Sequence, residues 1–249
     1  MRVIGAWNAI IPCGPLAAAT ADAVISEQVA FFHRLASARD ARRDGNGAAD
    51  LPPLGDSPEV EWKVYGHDRP ADLGARLAAA GFESDEPETL MVFDLRGGLP
   101  DVPNDGTIAR GIDVRRVTDA PGLADLTEAA RAAFGRDPAW RAERMKQYER
   151  QLADPAVSFY VVHAAGRPVA RARVDGPRGR SFAGLWGGGT VPTYRGRGIY
   201  RALVRVRAEE ARRRGYRYLR VDARETSRPI LDRLGFMPLA RIVEWRLRL

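Results

Sequence analysis

The sequence predicts a mixed α/β protein built around a central sheet, and three observations support this prediction. Residues 108–249 alternate apolar and polar runs in the order β-α-α-β-β-β-α-β-α-β. A glycine-rich turn at 195–198 joins one of these strands to the helix that follows it. Residues 1–98 contain a shorter β-α-β-α-β order. We therefore predict two units, separated by a linker at 99–107 that is rich in Gly, Pro and Asp.

The elements of the second unit follow from hydrophobic period and punctuation. Residues 112–117 alternate as a strand does, and Thr118 or Asp119 can cap the next helix, which has Pro121 in its first turn. A second helix carries Trp140 to Leu152. The remaining predictions are strands at 157–164, 168–174 and 181–191, a helix at 199–214, a strand at 216–221, a short helix at 227–234 and one or two strands at 237–249.

The first unit gives a weaker pattern. We predict strands at 3–12, 60–65 and 89–95, helices at 21–36 and 71–80, and a long loop at 39–58. Residues 62–70, with Gly81 and Phe82 beyond them, parallel residues 218–229 with Gly235 and Phe236. This parallel suggests a degenerate tandem repeat whose first copy is half a domain. The alternative is two unrelated βαβ pieces that share common turn residues.

Composition limits the classes of function. The chain has 249 residues, 45% hydrophobic and 29% charged, and no apolar run that could span a membrane. Cys13 is the single cysteine and the three histidines are far apart, so we expect no disulfide within the chain and no metal site. Because no signal peptide is evident, we expect a cytoplasmic protein with no membrane partner. The net charge of +7 raises the alternative of a nucleic-acid-binding module, but no recognition motif accompanies it.

The turn at 195–198 is the segment that points to a ligand. Its sequence is Arg-Gly-Arg-Gly, and it follows a strand and opens a helix. Glycines allow a tight turn, and the free amides and dipole at a helix N-terminus favour an anion. Arg197 and Arg201 add positive charge at the rim. The segment is not a P-loop, since no Gly-Lys-Ser/Thr follows, and it lacks the third glycine of a dinucleotide-binding fingerprint.

This segment resembles the Gcn5-related N-acetyltransferase (GNAT) family, which carries Arg/Gln-x-x-Gly-x-Gly/Ala at a strand–helix junction. Arg195 and Gly198 match that motif, whereas Tyr200 stands where the family has a small residue. The resemblance covers about residues 110–249, and the order of elements agrees throughout. It implies a GNAT-like fold with a splayed central sheet, preceded here by a degenerate half-GNAT unit. It also implies acetyl-CoA as co-substrate and no metal.

The resemblance further implies where the co-substrate lies. In the family, the strand matching 181–191 splays from the strand matching 216–221, and pantetheine pairs with backbone in the gap. The alternative for the run Gly187, Gly188 and Gly189 is a simple β-bulge, and the two can coexist. The cofactor-binding residues are then expected to be Gly189, Thr190, Val191, Arg195, Gly196, Arg197, Gly198, Ile199, Tyr200, Arg201 and Ser227.

The groups that move protons stay unassigned. The family often has a tyrosine acid in its last helix, and Leu231 occupies that position here; its frequent Asn is replaced by Ser227 or Arg224. No acidic residue lies on the strand ending at Val191. The alternatives for a base are Asp222 or Glu225, His67 or Asp68 of the first unit, and water relayed to solvent.

We therefore predict an N-acetyltransferase that acts by direct attack of a primary amine on the thioester, with a non-catalytic acyl-CoA-binding protein as the alternative. The acceptor is a small-molecule or peptide amine, and a homodimer is compatible with the half-copy. We expect one cofactor site, because Pro15 at the corresponding position of the first unit cannot donate an amide. Trp186 is a candidate wall of the acceptor pocket. The helix arginines are expected to form a solvated face; they are Arg205, Arg207, Arg212, Arg213 and Arg214.

Overall fold

The computed structural model describes residues 9–10, 14–43, 59–101 and 111–249. Contacts group the chain into two compact units, Met1–Thr89 with Ala240–Leu249, and Leu90–Leu239. This grouping differs in detail from the proposed division at 1–98 and 108–249, because the end of the chain joins the first unit. None of the helices in the described ranges combines the length and the apolar character that crossing a bilayer requires.

The first unit pairs short elements with the last strand of the chain. Its elements in order are β1 (Ala9–Ile10), α1 (Ala21–Arg43), β2 (Glu59–Tyr65), α2 (Leu73–Ala79) and β3 (Glu83–Ser84). The strand β10 (Met237–Arg248) runs antiparallel to β2, with Trp245 opposite Trp62, and also pairs with β3. β1 runs parallel to β2. A core that includes Phe32, Trp62 and Leu77 lies between these strands and the two helices.

The second unit is a mixed sheet with helices on both faces. Its elements are β4 (Glu88–Asp94), β5 (Ile112–Arg116), α3 (Ala120–Phe134), α4 (Pro138–Leu152), β6 (Val157–Ala164), β7 (Arg167–Asp175), β8 (Phe182–Thr190), α5 (Ile199–Arg213), β9 (Tyr218–Ala223) and α6 (Arg228–Arg233). The strand order is β4-β9-β8-β7-β6-β5. The predicted order of elements from 108 to 249 is confirmed, with β10 as one strand.

Alternating residues of β6 show how the two layers of helices share the sheet. Phe159 and Val161 belong to the core that includes Leu123 and Leu126 of α3. Tyr160 and Val162 belong to a second core on the opposite face, with Leu203 of α5. Because side chains alternate along a strand, one strand serves both layers. The Asp119 carboxylate accepts a hydrogen bond from the Gly122 amide at 2.8 Å, so Asp119 is the cap that α3 uses.

Three predicted boundaries need correction or lie outside the described residues. Residues 39–43 of the predicted loop belong to α1, which continues to Arg43, and residues 44–58 lie outside the described part of the chain. A 3₁₀ turn at Leu95–Gly97 precedes the linker predicted at 99–107, and residues 102–110 lie outside the described residues. Of the strand predicted at 3–12, the structure describes Ala9–Ile10 as strand; Trp7 and Cys13 lie outside it.

The prediction of a solvated arginine face on α5 is wrong for Arg207 and in part for Arg214. The Arg207 side chain is 1% exposed, and Glu210 one turn later is 2% exposed. Arg214 forms an ion pair with the Glu210 carboxylate, which also accepts a hydrogen bond from Ser158 at 2.7 Å. The arginines were expected in water because charge is costly to bury. The structure buries Arg207 and half-buries Arg214, and each has a polar partner on the sheet, the Arg173 carbonyl and Ser158 respectively.

Candidate functional site

The sheet opens between β8 and β9. The two strands pair in parallel at Phe182 with Tyr218, Ala183 with Leu219 and Gly184 with Arg220. Beyond this ladder, β8 continues to Thr190 and β9 to Ala223. A gap bordered by two backbone edges therefore widens toward the start of α5. The splayed sheet expected from the resemblance is confirmed.

A β-bulge in β8 accompanies the splay. On the side of β7, Arg171 lies opposite Gly189 and Arg173 lies opposite Trp186, so that Gly187 and Gly188 together face Ala172. Gly187 has φ of +55°, in the left-handed region that other residues rarely adopt. A bulge of this kind bends the strand that contains it. The two interpretations of the glycine run, a bulge and a site of splay, are both correct.

Each glycine of the run has a different side chain against it. A Cβ on Gly187 would lie 2.7 Å from Arg171 Nη2, and one on Gly188 would lie 3.1 Å from the Tyr200 ring. A Cβ on Gly189 would lie 2.6 Å from the ring of Phe134. Tyr200 replaces a small residue of the family motif, and the missing side chain of Gly188 makes room for its ring.

The open edge of β8 carries polar groups that face the gap. Val191 donates its amide to Val169 at 2.9 Å, so the neighbouring Thr190 directs its backbone groups away from β7. The Thr190 carbonyl accepts a hydrogen bond from Arg195 Nε at 3.2 Å. The buried Thr190 Oγ1 has no hydrogen-bond partner among the described residues. This edge can accept the backbone-like pairing that a pantetheine arm offers.

The loop after β8 leaves the start of α5 open. Gly196 and Gly198 have φ of +76° and +75°, and Gly198 is the N-cap residue of α5. Within the described ranges no side chain caps this helix, and nothing lies within 4 Å of a Cβ built on Gly196. The first amides of α5 therefore have no side-chain cap among the described residues, as an anion site at a helix N-terminus requires. The residues present fit a pyrophosphate.

The predicted cofactor residues form one continuous strip, with Ser227 joined to it through Tyr200. Arg197 is exposed, donates to the Thr193 carbonyl at 3.2 Å and lies 4.9 Å over the Tyr194 ring. The Tyr200 hydroxyl hydrogen-bonds Ser227 at the start of α6, and burial raises the pKa of this hydroxyl. Tyr200 thus contacts both the bulge and α6, and it stays protonated at neutral pH.

The candidate proton-transfer groups differ in environment. Glu225 is exposed, and a hydrogen bond from Arg228 at 2.9 Å lowers the pKa of its carboxyl. Asp222 follows Arg220 by two positions on β9 and so lies on the same face, beyond the end of the ladder. Leu231, at the position of the family's acid, is fully buried. In the first unit, the Asp68 carboxylate accepts the Tyr65 amide at 2.8 Å, which is a turn-forming contact.

Sequence reasoning missed a group of charged residues on β7. The Asp175 carboxylate accepts a hydrogen bond from Trp186 Nε1 at 2.7 Å and pairs with Arg173 at 3.1 Å. Burial raises the pKa of Asp175. Arg171 is 5% exposed and donates to the Tyr148 hydroxyl. Alternation of Arg171, Ala172 and Arg173 in a strand between apolar strands is the signal that could have revealed this group.

Comparison with known proteins agrees with this geometry. Residues 123–236 match the model of the acetyltransferase (GNAT) family. No curated protein matches the chain in sequence. Among solved structures, a GCN5-related N-acetyltransferase from Kribbella flavida has a TM-score of 0.53 and 17% identity over 75% of this chain and 67% of that protein. One from Sphaerobacter thermophilus has a TM-score of 0.54 and 22% identity, over 83% and 63%.

A third structure bears on the two-unit organisation. A tandem GNAT protein from the clavulanic acid biosynthesis pathway has a TM-score of 0.55 and 16% identity, over 84% of this chain and 66% of that protein. At these identities the likeness shows the fold alone, and a half-GNAT first unit is compatible with it. Taken with the family match and the splayed sheet, residues 123–236 constitute a GNAT acetyltransferase family domain.

Proposed function

We propose that this protein transfers the acetyl group of acetyl-CoA to a primary amine by direct attack of the amine on the thioester. The observation that carries the proposal is the gap between β8 and β9, which leads to the uncapped N-terminus of α5 at Gly198. An arm bound in the gap and a pyrophosphate bound at the helix would belong to one molecule. Acetyl-CoA supplies an activated acetyl group whose thioester an amine can attack.

The pyrophosphate would be held by backbone amides rather than by a lysine. The amides of the turn around Gly196 and of the first turn of α5 supply donors, and the helix dipole adds favourable potential. Arg197 and Arg201 border this turn. Arg195 has a different role, since its Nε fixes the Thr190 carbonyl and with it the end of β8.

The transfer step needs a polarised carbonyl and two proton movements. A C–N bond forms between the amine nitrogen and the acetyl carbon, the C–S bond breaks, and the sulfur leaves as a thiolate. The amide of Thr190, on the open edge of β8, would donate to the thioester oxygen as negative charge develops there. The amine gives up a proton, for which Asp222 is the candidate acceptor, and the thiolate gains one.

Tyr200 is the candidate donor of the second proton. A Tyr200→Phe variant is expected to keep its affinity for acetyl-CoA within about threefold and to lose turnover by about a hundredfold. The measurement is the rate of free thiol release with saturating acetyl-CoA. Tyr194→Phe, which changes a tyrosine of the same segment outside the helix, should leave the rate within about twofold. An unchanged rate in Tyr200→Phe would remove it as the acid.

Transfer itself is tested with a panel of amines. Purified protein is given acetyl-CoA and small amines, amino acids, aminoglycosides and peptides, and acetylated products are detected by mass spectrometry. We expect acetyl transfer to nitrogen in at least one class. The alternative, a non-catalytic acyl-CoA-binding protein, is favoured by the buried Leu231 at the acid position. It predicts acetyl-CoA binding with no turnover across the panel, and that result would displace the enzyme proposal.

A further inference from the structure

Arginines are concentrated on the face of the sheet that α3 and α4 cover, next to the bulge. Arg171 and Arg173 of β7 lie on this face, and Arg220 of β9 lies 5.1 Å from the Trp186 ring. Burial lowers the pKa of the Arg173 guanidinium, and the nearby charge of Arg144 on α4 lowers it further. The Asp175 carboxylate forms an ion pair with Arg173 and accepts a hydrogen bond from Trp186.

Arg171 is buried, and none of the described residues gives it a carboxylate partner. Its guanidinium lies 5.0 Å from the Tyr148 ring, and Nη1 donates to the Tyr148 hydroxyl. Nε is buried and has no hydrogen-bond partner among the described residues, while Nη2 points at Gly187. Nε and Nη2 form the side-on edge of the guanidinium fork, which matches the two oxygens of a carboxylate. Gly187 is exposed, and Nη2 is the atom of this edge that lies nearest to it at the bulge.

A second buried charge reaches the bulge from the opposite face. Arg207 of α5 donates from Nε to the Leu203 carbonyl at 2.8 Å and from Nη1 to the Arg173 carbonyl at 3.2 Å. Its Nη2 has no partner in the described part of the chain and would lie 3.7 Å from a Cβ on Gly188. Burial lowers the pKa of Arg207 to about 10, so the group is still charged at neutral pH.

Two buried cations beside one bulge, neither with an anionic partner among the described residues, are costly unless an anion completes them. The cofactor does not supply that anion under the proposed function, because its phosphates would lie at the turn of Gly196 and Gly198. The thioester end that would reach Thr190 is neutral. The acceptor is the remaining component of the reaction that can bring an anion.

We propose that the acceptor is a small amine that also carries a carboxylate, bound side-on by Arg171 at the bulge of β8. This inference rests on the proposed acetyl transfer and names its substrate class. Gly187, next to the Arg171 fork, and Thr190, next to the expected thioester, are three positions apart on β8. The carboxylate and the amine of the acceptor should therefore be separated by only a few bonds. Trp186, held between Arg173 and Arg220, forms a wall of this site.

The test compares amines that differ in the anionic group. Wild-type protein is given acetyl-CoA with β-alanine, β-alaninamide or 2-aminoethyl phosphate, and kcat/KM is corrected at each pH for the fraction of free amine. We expect a preference of about tenfold to hundredfold for the carboxylate over the amide. Equal use of the two, or a preference for the amide or the phosphate, would overturn the proposal.

Variants of Arg171 test whether this residue causes the preference for the carboxylate. Arg171→Gln should raise KM for β-alanine by about tenfold to hundredfold and change KM for the amide by less than about threefold. Arg212→Gln, an exposed arginine of α5, is the matched control and should change neither. Equal losses for both amines in Arg171→Gln would indicate a structural role and refute the assignment. If Arg171→Gln does not fold, Arg171→Lys keeps the charge without the fork and should lose part of the preference.

Binding of acetyl-CoA separates this inference from the proposal on which it rests. A melting-temperature rise with acetyl-CoA, together with transfer to neutral amines alone, would defeat the carboxylate assignment and leave the transferase standing. No rise with acetyl-CoA and no transfer would defeat both.

Discussion

Gly198→Glu is expected to abolish the rise in melting temperature that acetyl-CoA gives the wild-type protein. Gly198 caps α5 with φ of +75°, which an L-residue adopts at a cost, and a carboxylate there would itself occupy the anion site. A ligand at about a hundred times its Kd stabilises the native state by about 2.7 kcal/mol, or roughly 5–10 °C for a chain of this size. Differential scanning fluorimetry with a titration of acetyl-CoA measures this shift.

Gly179→Glu is the matched control for backbone strain and charge. Gly179 has φ of +72°, lies in the exposed turn between β7 and β8, and has nothing within 4 Å of its Cβ position among the described residues. Its variant should melt lower than the wild type yet keep the full acetyl-CoA shift. A shift retained in Gly198→Glu would place the pyrophosphate elsewhere, and no shift in the wild type would contradict acetyl-CoA binding.

The turn at Gly196 and Gly198 could be predicted because its information is local. Two glycines between a strand and a helix fix a left-handed turn, and the free amides of a helix N-terminus follow from its geometry alone. The splay of β8 from β9 was predicted from the resemblance to the GNAT family and not from the residues themselves. The sequence permitted a bulge at Gly187 but did not specify how far the ladder runs, since that depends on register between distant strands.

Burial of charge could not be predicted, because it depends on partners far away in sequence. Arg207 is buried since its Nη1 donates to the Arg173 carbonyl, beside the point where the bulge interrupts the ladder. Tyr200 departs from the family motif, and the residue that compensates is Gly188, on a strand that precedes the helix. Period and charge along α5 show which residues share a face; they do not show that the sheet offers polar groups to that face.

Glu210→Gln is expected to lower the free energy of unfolding by about 3 kcal/mol. The Glu210 carboxylate is 2% exposed and accepts hydrogen bonds from Ser158 and Tyr160 on β6. It also forms an ion pair with Arg214, so an amide in its place sets an NH2 donor against one of these donors and leaves buried groups unmatched. Urea denaturation followed by circular dichroism gives the difference in unfolding free energy.

The adjacent residue provides the control for Glu210→Gln. Glu209 is exposed and pairs with Arg205 one turn away at 2.7 Å, so Glu209→Gln should cost less than about 0.5 kcal/mol. Glu210 lies about 16 Å along the helix axis from the N-terminus of α5, and neither variant should change affinity for acetyl-CoA. Equal losses of unfolding free energy in the two variants would show that the buried hydrogen bonds of Glu210 do not stabilise the protein.

The contribution of Glu210 should also depend on pH. Burial by itself raises the pKa of this carboxyl, but hydrogen bonds from Tyr160 and Ser158, with nearby guanidinium charges, outweigh burial and lower it below its ordinary value. The native state then binds fewer protons than the unfolded chain, so the stabilisation is present above the unfolded pKa and is lost as pH falls through the folded one. The difference between wild type and Glu210→Gln should be full above about pH 5 and shrink progressively below about pH 4. A difference that stays constant with falling pH would mean that the carboxylate charge is not what holds α5 to β6.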